Sequence, residues 1–444
     1  MRDTRAFKLS AIKGDNHLKI DINYSAATAN ISIDPSKLVP SEFLSSMKKC
    51  LGYALNWEVD FPSFTKIGGL ESYEYELYLK SLIERLMRKP VCFHEKPDNK
   101  DIPCIKLVGL DKPSLEASYI VEGETRAKNW AEMPPNILGS TQFVKEVSEL
   151  AKELNLSCEV LTWEDLKKKG FELSCAVGQN KRNSYLVVLR ESQVDSILKK
   201  KERKKVALIG KGICFDTGGL SIKTGNYMRG MKFDMSGSAL VASIFFALSK
   251  AGFSEEKELI ALLPVSENLV GSESIKVDSV LRSYSGKSVE ITNTDAEGRL
   301  VLAEAMTYAA KDLGASELIT IATLTGAIKY ALGSKYSGAW TTLESQWKEL
   351  SEAAEYAGEH LWRMPLDEYY LEELRSNIAD LKNSAATGAG GSSRAATFLS
   401  EFREGKDYIH LDIANTSNTE GKNQVGLAPL FKTLYFYIKG VKKD

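Results

Sequence analysis

Apolar and polar positions along this chain change their period several times, and each change marks an element. Leu18, Ile20 and Ile22 alternate with polar neighbours, which predicts a half-buried strand. Tyr75, Leu79, Leu82 and Leu86 recur at helical spacing ahead of Pro90. A helical stretch from about Ser114 to Ala131 is stopped by Met133-Pro134-Pro135, because the residue before a proline is pushed out of the helical region. Residues 1–112 therefore read as a small N-terminal α/β domain, 113–131 as a linker helix, and 132–444 as a larger second domain.

Beyond that helix the alternation becomes regular. Val144, Val147, Ala151 and Leu154 form a helical stripe, Cys158 to Leu161 and Tyr185 to Leu189 read as strands, and buried strands are expected at Val206 to Ile209, Leu259 to Leu263 and Leu318 to Thr323. Between the last two, Leu302, Met306, Ala309 and Leu313 mark one face of a helix that Gly314 can end. Such a succession predicts an α/β fold, a central sheet flanked by helices, with ligands gathered in the loops beyond the strand ends.

Composition narrows the class. The 444 residues are 43% hydrophobic and 26% charged, ordinary for a globular enzyme, and 58 basic against 59 acidic residues leave a net charge of -1. No global basic field draws nucleic acid or an anionic membrane, and the basic run Lys199 to Lys205 reads as a solvated loop before a strand. The apolar stretches near Leu318 to Leu324 and Ile328 to Leu332 are too short to cross a bilayer. Six scattered cysteines without C-x-x-C pairs read as reduced, buried thiols, and the charged start Met1-Arg2-Asp3-Thr4-Arg5 leads into no signal core, so a cytoplasmic protein is expected.

The four histidines, His17, His94, His360 and His410, form no H-E-x-x-H or other paired spacing, so a metal would have to be held mainly by carboxylates. Two glycine-rich segments supply them. The strand Val206 to Ile209 ends at Gly210-Lys211-Gly212-Ile213-Cys214-Phe215-Asp216-Thr217-Gly218-Gly219, followed by Lys223 and by Asp234-Met235-Ser236-Gly237. In the second, Asp295 and Glu297 stand two residues apart, so an extended segment would aim both to one side with α-carbons about 6.5 Å apart, in reach of two metals about 3.5–4 Å apart. Arg299 continues that side if the chain stays extended. Each piece has a plainer reading: Thr294 to Glu297 fits a helix capping box, and Gly210-Lys211-Gly212 an ordinary strand-to-helix turn.

Taken together, these segments resemble the leucine (cytosol) aminopeptidase family. Asn293-Thr294-Asp295-Ala296-Glu297-Gly298-Arg299-Leu300 matches that family's signature, and Gly210 to Gly219, Ser221-Ile222-Lys223, Met231 to Gly237 and Thr323-Leu324-Thr325-Gly326 are similar to its other motifs in the right order. The similarity runs from about Asn129 to the carboxyl terminus. It implies a mixed central sheet and a metal-dependent aminopeptidase acting on short peptides with a free amino terminus. It further implies two divalent ions, zinc or manganese, on Lys211, Asp216, Asp234, Asp295 and Glu297, with Asp216 and Glu297 bridging. Lys223 would stabilise the oxyanion, Arg299 would hold a bicarbonate acting as general base, and a hydroxide bridging the metals would attack. Met231, Asp234, Thr323, Leu324, Gly326 and Ala414 would bind the substrate, favouring Leu, Met or another apolar first residue. The family is typically a homohexamer.

Three places depart from the family pattern: Val277-Asp278-Ser279 replaces Pro-Gly-Asp, Ser384 to Gly388 replaces a double glycine and arginine, and Asn415 replaces a glycine. They bear on pocket shape, and Gly388 to Ser393 reads as a flexible or packing loop. Two other function classes compete with the peptidase: a DNA-binding regulator, which the charge of -1 disfavours, and an inactive metal-binding scaffold, which the full set of ligand candidates disfavours. A narrower Cys-Gly dipeptidase lies within the enzyme class.

Overall fold

The computed structural model describes residues 3–13, 18–23, 25–51, 54–89, 91–93, 104–191, 203–386, 389–419 and 424–441. The chain forms two compact units, residues 1–125 with 354–359, and residues 126–353 with 360–444. The division falls inside the helix Leu115–Glu132.

The first unit is a five-stranded sheet of β1 (Asp3–Lys13), β2 (Lys19–Asn23), β3 (Thr28–Ile33), β4 (Ala54–Asp60) and β5 (Cys104–Val108), in the order β2-β3-β1-β4-β5. The helices Pro40–Leu51 and Ser72–Met87 belong to it, and Phe43, Phe64 and Tyr75 meet in tilted and edge-on contacts between 5.6 and 6.0 Å. Such pairs add specificity to an area-driven core.

In the second unit the strands are β6 (Ser157–Leu161), β7 (Tyr185–Arg190), β8 (Lys204–Gly210), β9 (Gly212–Asp216), β10 (Lys257–Asn268), β11 (Val280–Arg282), β12 (Ser288–Glu290), β13 (Glu317–Ala322), β14 (Ser337–Thr341), β15 (Leu361–Arg363), β16 (Leu381–Lys382) and β17 (Asp407–Asp412). A mixed nine-stranded sheet runs β15-β14-β17-β13-β8-β10-β7-β6, with β9 also paired to β10, and β11, β12 and β16 make a small separate sheet. Its centre is parallel: β17 with β13, β13 with β8, and β8 with β10. These strands are buried on both faces, which explains their mainly apolar interiors. On β8, Ala207 and Ile209 join the core beneath the helix Gly298–Lys311. The intervening Val206 and Leu208 are equally buried but outside that core, where the helix Ser236–Ala251 packs.

Met231–Ala251 is long and apolar enough to cross a membrane, but 89% of its most apolar 18-residue window is buried inside the protein. Its apolarity is that of a central core helix. The shortness of the apolar stretches had pointed elsewhere because Gly237, Ser238 and Ser243 interrupt this run; all are buried, and Ser238 bonds the Gly210 carbonyl at 2.6 Å.

Some expectations are corrected. Gly391–Ser400 is a helix, opened by Gly390 at φ +66°, so the glycine-rich segment is not a loop as far as Ser393. Thr387 and Gly388 lie outside the described residues. So do residues 199–202 of the basic run, as well as His17 and His94; of the rest, Arg203 is buried against Glu191 at 2.9 Å and Lys204 pairs with Glu317 at 3.0 Å. Of the cysteines, Cys50, Cys175 and Cys214 are buried thiols, whereas Cys92 and Cys104 are exposed.

Candidate metal centre and cleft

The site gathers where the parallel strands end. Lys211 occupies a one-residue break between β8 and β9 and is not part of a strand-to-helix turn. Its amide donates to the Ile321 carbonyl at 3.0 Å and its own carbonyl accepts from the Ser238 amide at 2.8 Å, so neighbouring elements fix the backbone there. The approach is so close that a Cβ on Gly237 would lie 2.3 Å from the Ile321 oxygen. Only glycine fits. Asp216 ends β9, and Asp234 lies in the 3-10 turn Met231–Met235 that leads into Ser236–Ala251.

Asp295 and Glu297 do face one site, but not from an extended segment. Residues 294–295 form a turn, closed by the Ala296 amide on the Asn293 carbonyl at 3.3 Å and the Asp295 amide on Asn293 Oδ1 at 2.8 Å. Glu297 is already in the right-handed helical region, and Arg299 lies in the first turn of Gly298–Lys311. The capping box is absent too. Thr294 Oγ1 donates to the Gly218 carbonyl at 2.6 Å and accepts from the Ser221 amide at 2.8 Å, tying the signature to the loop after β9.

Three carboxylates, Asp216, Asp234 and Glu297, each place an oxygen within 4.8 Å of the others. Lys211 Nζ stands 2.7 Å from Asp234 Oδ2 and 2.8 Å from Glu297 Oε1, and donates to the Thr323 carbonyl at 3.1 Å. Lys223 Nζ stands 2.8 Å from Asp216 Oδ2 and also contacts Asp295 Oδ1. Four anions against two cations leave two formal negative charges in a buried cluster. That is costly without further positive charge.

The titration behaviour records this imbalance. Burial and the repulsion of Asp216 and Glu297 push the Asp234 carboxyl well above its ordinary range despite Lys211. Glu297 is raised by burial and by Asp216, as is Asp295, each against the pull of the lysines. Burial alone would disfavour the Lys211 ammonium, but Asp234, Glu297 and Asp216 outweigh it and hold that lysine above its ordinary value. Asp234 Oδ2, Asp295 Oδ1 and Glu297 Oε1 have only the two lysines as partners, and Glu297 Oε2 is buried with none. Hard oxygen donors in surplus over the two lysines fit divalent cations.

Asn residues that sequence reasoning missed hold the cage. Asn268, at the end of β10, donates to Asp216 Oδ1 at 2.9 Å and to the Thr294 carbonyl at 3.0 Å, joining its two halves. Asn383 Oδ1 accepts from the amides of Thr292 and Asn293 at 2.9 and 3.2 Å, and its Nδ2 donates to the Asn293 carbonyl at 2.6 Å. The available signal for Asn268 was the polar run Ser266-Glu267-Asn268 that ends the apolar part of β10. Asn383 has no such local mark, since its partners are about 90 residues away.

Arg299 is buried, with Nη1 donating to the Asn383 carbonyl at 2.7 Å and Nε unpartnered, and burial lowers its pKa to about 10. Above the cage opens a cleft of about 450 Å³ whose lining includes Lys211, Asp216, Lys223, Asp234 and Asp295 together with Met231, Thr323, Leu324, Gly326 and Ala414. Glu297 and Arg299 lie behind this surface. Of the departures, Asp278 takes a left-handed φ of 66°, and Asn415 Nδ2 donates to the Gly333 and Tyr336 carbonyls at 2.5 and 2.8 Å.

An open cleft floored by a buried carboxylate and lysine cage, at the ends of parallel strands, has the layout of a metal-dependent hydrolase. Residues 125–432 match the family model for the catalytic domain of the cytosol aminopeptidase family. The "Probable cytosol aminopeptidase" of Mycoplasma genitalium is 41% identical over 349 residues, 78% of this chain and 76% of that protein. The Mycoplasma pneumoniae protein of the same name is 39% identical over 383 residues, 85% and 84% of the two chains. Among solved structures, "Bottromycin maturation enzyme BotP in complex with Mn" superposes with a TM-score of 0.81 over 98% of both chains at 23% identity, a likeness of fold. The chain belongs to the cytosol aminopeptidase family. It is a hydrolase, a metal-dependent aminopeptidase.

Proposed function

We propose that this enzyme removes the first residue, Leu, Met or another apolar one, from short peptides. The carrying observation is that Lys211 and Lys223 each clamp carboxylates from separate segments at the floor of one cleft. Lys211, Asp216, Asp234, Asp295 and Glu297 would hold two divalent ions, zinc or manganese, in a class of chemistry that aminopeptidases are known to use. When bound, the ions supply Lewis acidity, polarising the scissile carbonyl and making water nucleophilic at neutral pH. Lys211 must then give up its proton, which nearby dications favour.

The remaining roles fall to the chain itself. Asp234, steadied by Thr323 Oγ1 at 2.8 Å, receives the free amino terminus of the peptide and fixes its first bond over the cage. Met231, Thr323, Leu324, Gly326 and Ala414 surround the first side chain, with modest selectivity because one methylene is worth only ~1–3 kcal/mol. Lys223, partly open to the cleft, donates to the developing oxyanion. Arg299, with Nε uncommitted, would hold an anion, bicarbonate, which would supply a general base there.

Residues 132–444 serve as the catalytic domain, with 1–112 as a separate N-terminal domain and 113–131 linking them. The near-neutral charge and unpaired cysteines support a cytoplasmic enzyme that binds neither membrane nor nucleic acid, and family membership supports a homohexamer. Purified protein should hydrolyse leucine p-nitroanilide, lose that activity on chelation and regain it with Zn²⁺ or Mn²⁺. Activity that survives both chelation and Glu297→Ala overturns the reading.

A further inference from the structure

We infer that Asp412 is a positioning residue for substrate recognition: its buried carboxylate sets the two backbone segments that wall the cleft. The inference rests on the peptidase reading of that cleft. Asp412 is the last residue of β17, paired in register with Ala322 at the end of β13, and is wholly buried. The chain leaves both neighbouring strands at this level, and Thr323 to Gly326 after β13 and Ala414 after β17 both enter the lining.

One carboxylate reaches both. Asp412 Oδ1 accepts from the Leu324 amide and from the Ala414 amide, each at 3.1 Å. Asp412 Oδ2 accepts from Thr325 Oγ1 at 2.6 Å, and that hydroxyl also meets Ser392 Oγ at 2.6 Å at the start of the helix Gly391–Ser400. Every neighbour is a donor or a hydroxyl, so an acceptor-only group is the one that satisfies them. Strand pairing has ended here, and without Asp412 the Leu324 and Ala414 amides would have no partner from the sheet.

The same loop is gripped from its other end by the cage, through Thr323 Oγ1 on Asp234 and the Thr323 carbonyl on Lys211 Nζ. Thr323 thus answers to the cage and Leu324, Thr325 and Ala414 to Asp412. Two anchors on consecutive residues, Thr323 and Leu324, fix the wall relative to the reacting bond. Losing the Asp412 anchor leaves the cage residues in place and loosens the wall, which changes binding of the first side chain more than the chemical step.

The test compares Asp412→Ala and Asp412→Ser, which lose the long-reach acceptor, with Asp412→Asn, which keeps one oxygen for the two amides. Metal-loaded enzymes are assayed on leucine and alanine p-nitroanilides, and backbone hydrogen exchange is followed at Leu324 and Ala414. The Ala and Ser variants should raise KM for the leucine substrate about tenfold or more, the scale of a lost charged hydrogen bond. They should leave kcat within about threefold, speed exchange at both amides about tenfold, and narrow the leucine-to-alanine preference. Asp412→Asn should recover most of each effect. Unchanged exchange, a fall in kcat at constant KM, or equal damage in all three variants overturns the inference. If one disruptive variant does not fold, the other and Asp412→Asn still decide it. Faster exchange in a wild type without peptidase activity is not at issue: an inactive wild type overturns the proposed function alone, and the exchange result then decides the role of Asp412.

Discussion

Gly298 and Lys211 interlock: a Cβ built on Gly298 would lie 2.6 Å from Lys211 Cε and 2.8 Å from its Nζ. The first residue of one helix is therefore bare so that a lysine from a strand break 87 positions earlier can lie across it. Because Lys211 is buried and held by Asp234 and Glu297, it has no free direction in which to yield.

Gly298→Ala should consequently displace the lysine and not the helix. A shift of about 1 Å in a catalytic constellation costs on the order of 10²-fold in rate. Alanine is a better helix former than glycine by up to ~1 kcal/mol, so the melting temperature should change little. Steady-state kinetics beside thermal melting checks this, and a large loss of stability with retained activity would contradict it.

Asn383→Ala should damage both stability and activity. It leaves the half-buried amides of Thr292 and Asn293 without their acceptor, each costing about 1 kcal/mol. The signature turn and Arg299 would lose their common support. Urea unfolding should show a lower midpoint with unchanged slope, and the residual folded enzyme should turn over more slowly.

Lys223→Met keeps most of the length of the side chain and removes its charge. If the ammonium serves the oxyanion, kcat should fall by about 10²–10³-fold with little change in KM. A rise in KM at constant kcat would move Lys223 from chemistry to binding.

Glu304 offers a pH signature distinct from the cage. It is fully buried, and its oxygens accept from the amides of Leu173, Ser174 and Tyr284 at 3.1, 2.8 and 3.3 Å. Burial outweighs those bonds and raises its pKa from 4.5 to about 7. The folded chain then keeps a proton that the unfolded chain releases, so stability from this group is full below about pH 4.5 and is lost as pH rises through about 7. Replacing it by glutamine should flatten the decline in unfolding free energy between about pH 5 and pH 8 by up to roughly 3 kcal/mol. Parallel pH profiles for wild type and Glu304→Gln would show that Glu304 is ionised throughout.

Much of this architecture could be read from the sequence because buried parallel strands and core helices write themselves as apolar runs of fixed period. Val206 to Ile209, Leu259 to Leu263 and Leu318 to Thr323 all fall in strands of the central sheet, differing only at their ends. The turn at Asp295 was not legible, since two-residue spacing fits a strand and a turn alike and only Asn293 and Asn383, one of them distant, decide between them. Nor was the start of a helix at Gly391, where three small residues mimic a loop but Ser392 bonds Thr325 in the cleft wall. Local pattern reports burial. It does not report which distant group supplies the missing hydrogen bond.

The cage also constrains how the molecule comes into being. Its side chains issue from β9, from the turn before Ser236–Ala251 and from the entrance to Gly298–Lys311, and Asn268 stitches them together only after β10 has seated between its neighbours. Such nonlocal pairings form late, because loop closure must precede them. A nascent or partly unravelled chain therefore carries no half-built peptidase. Hydrolytic competence requires the finished sheet, which makes activity itself a stringent gauge of native topology.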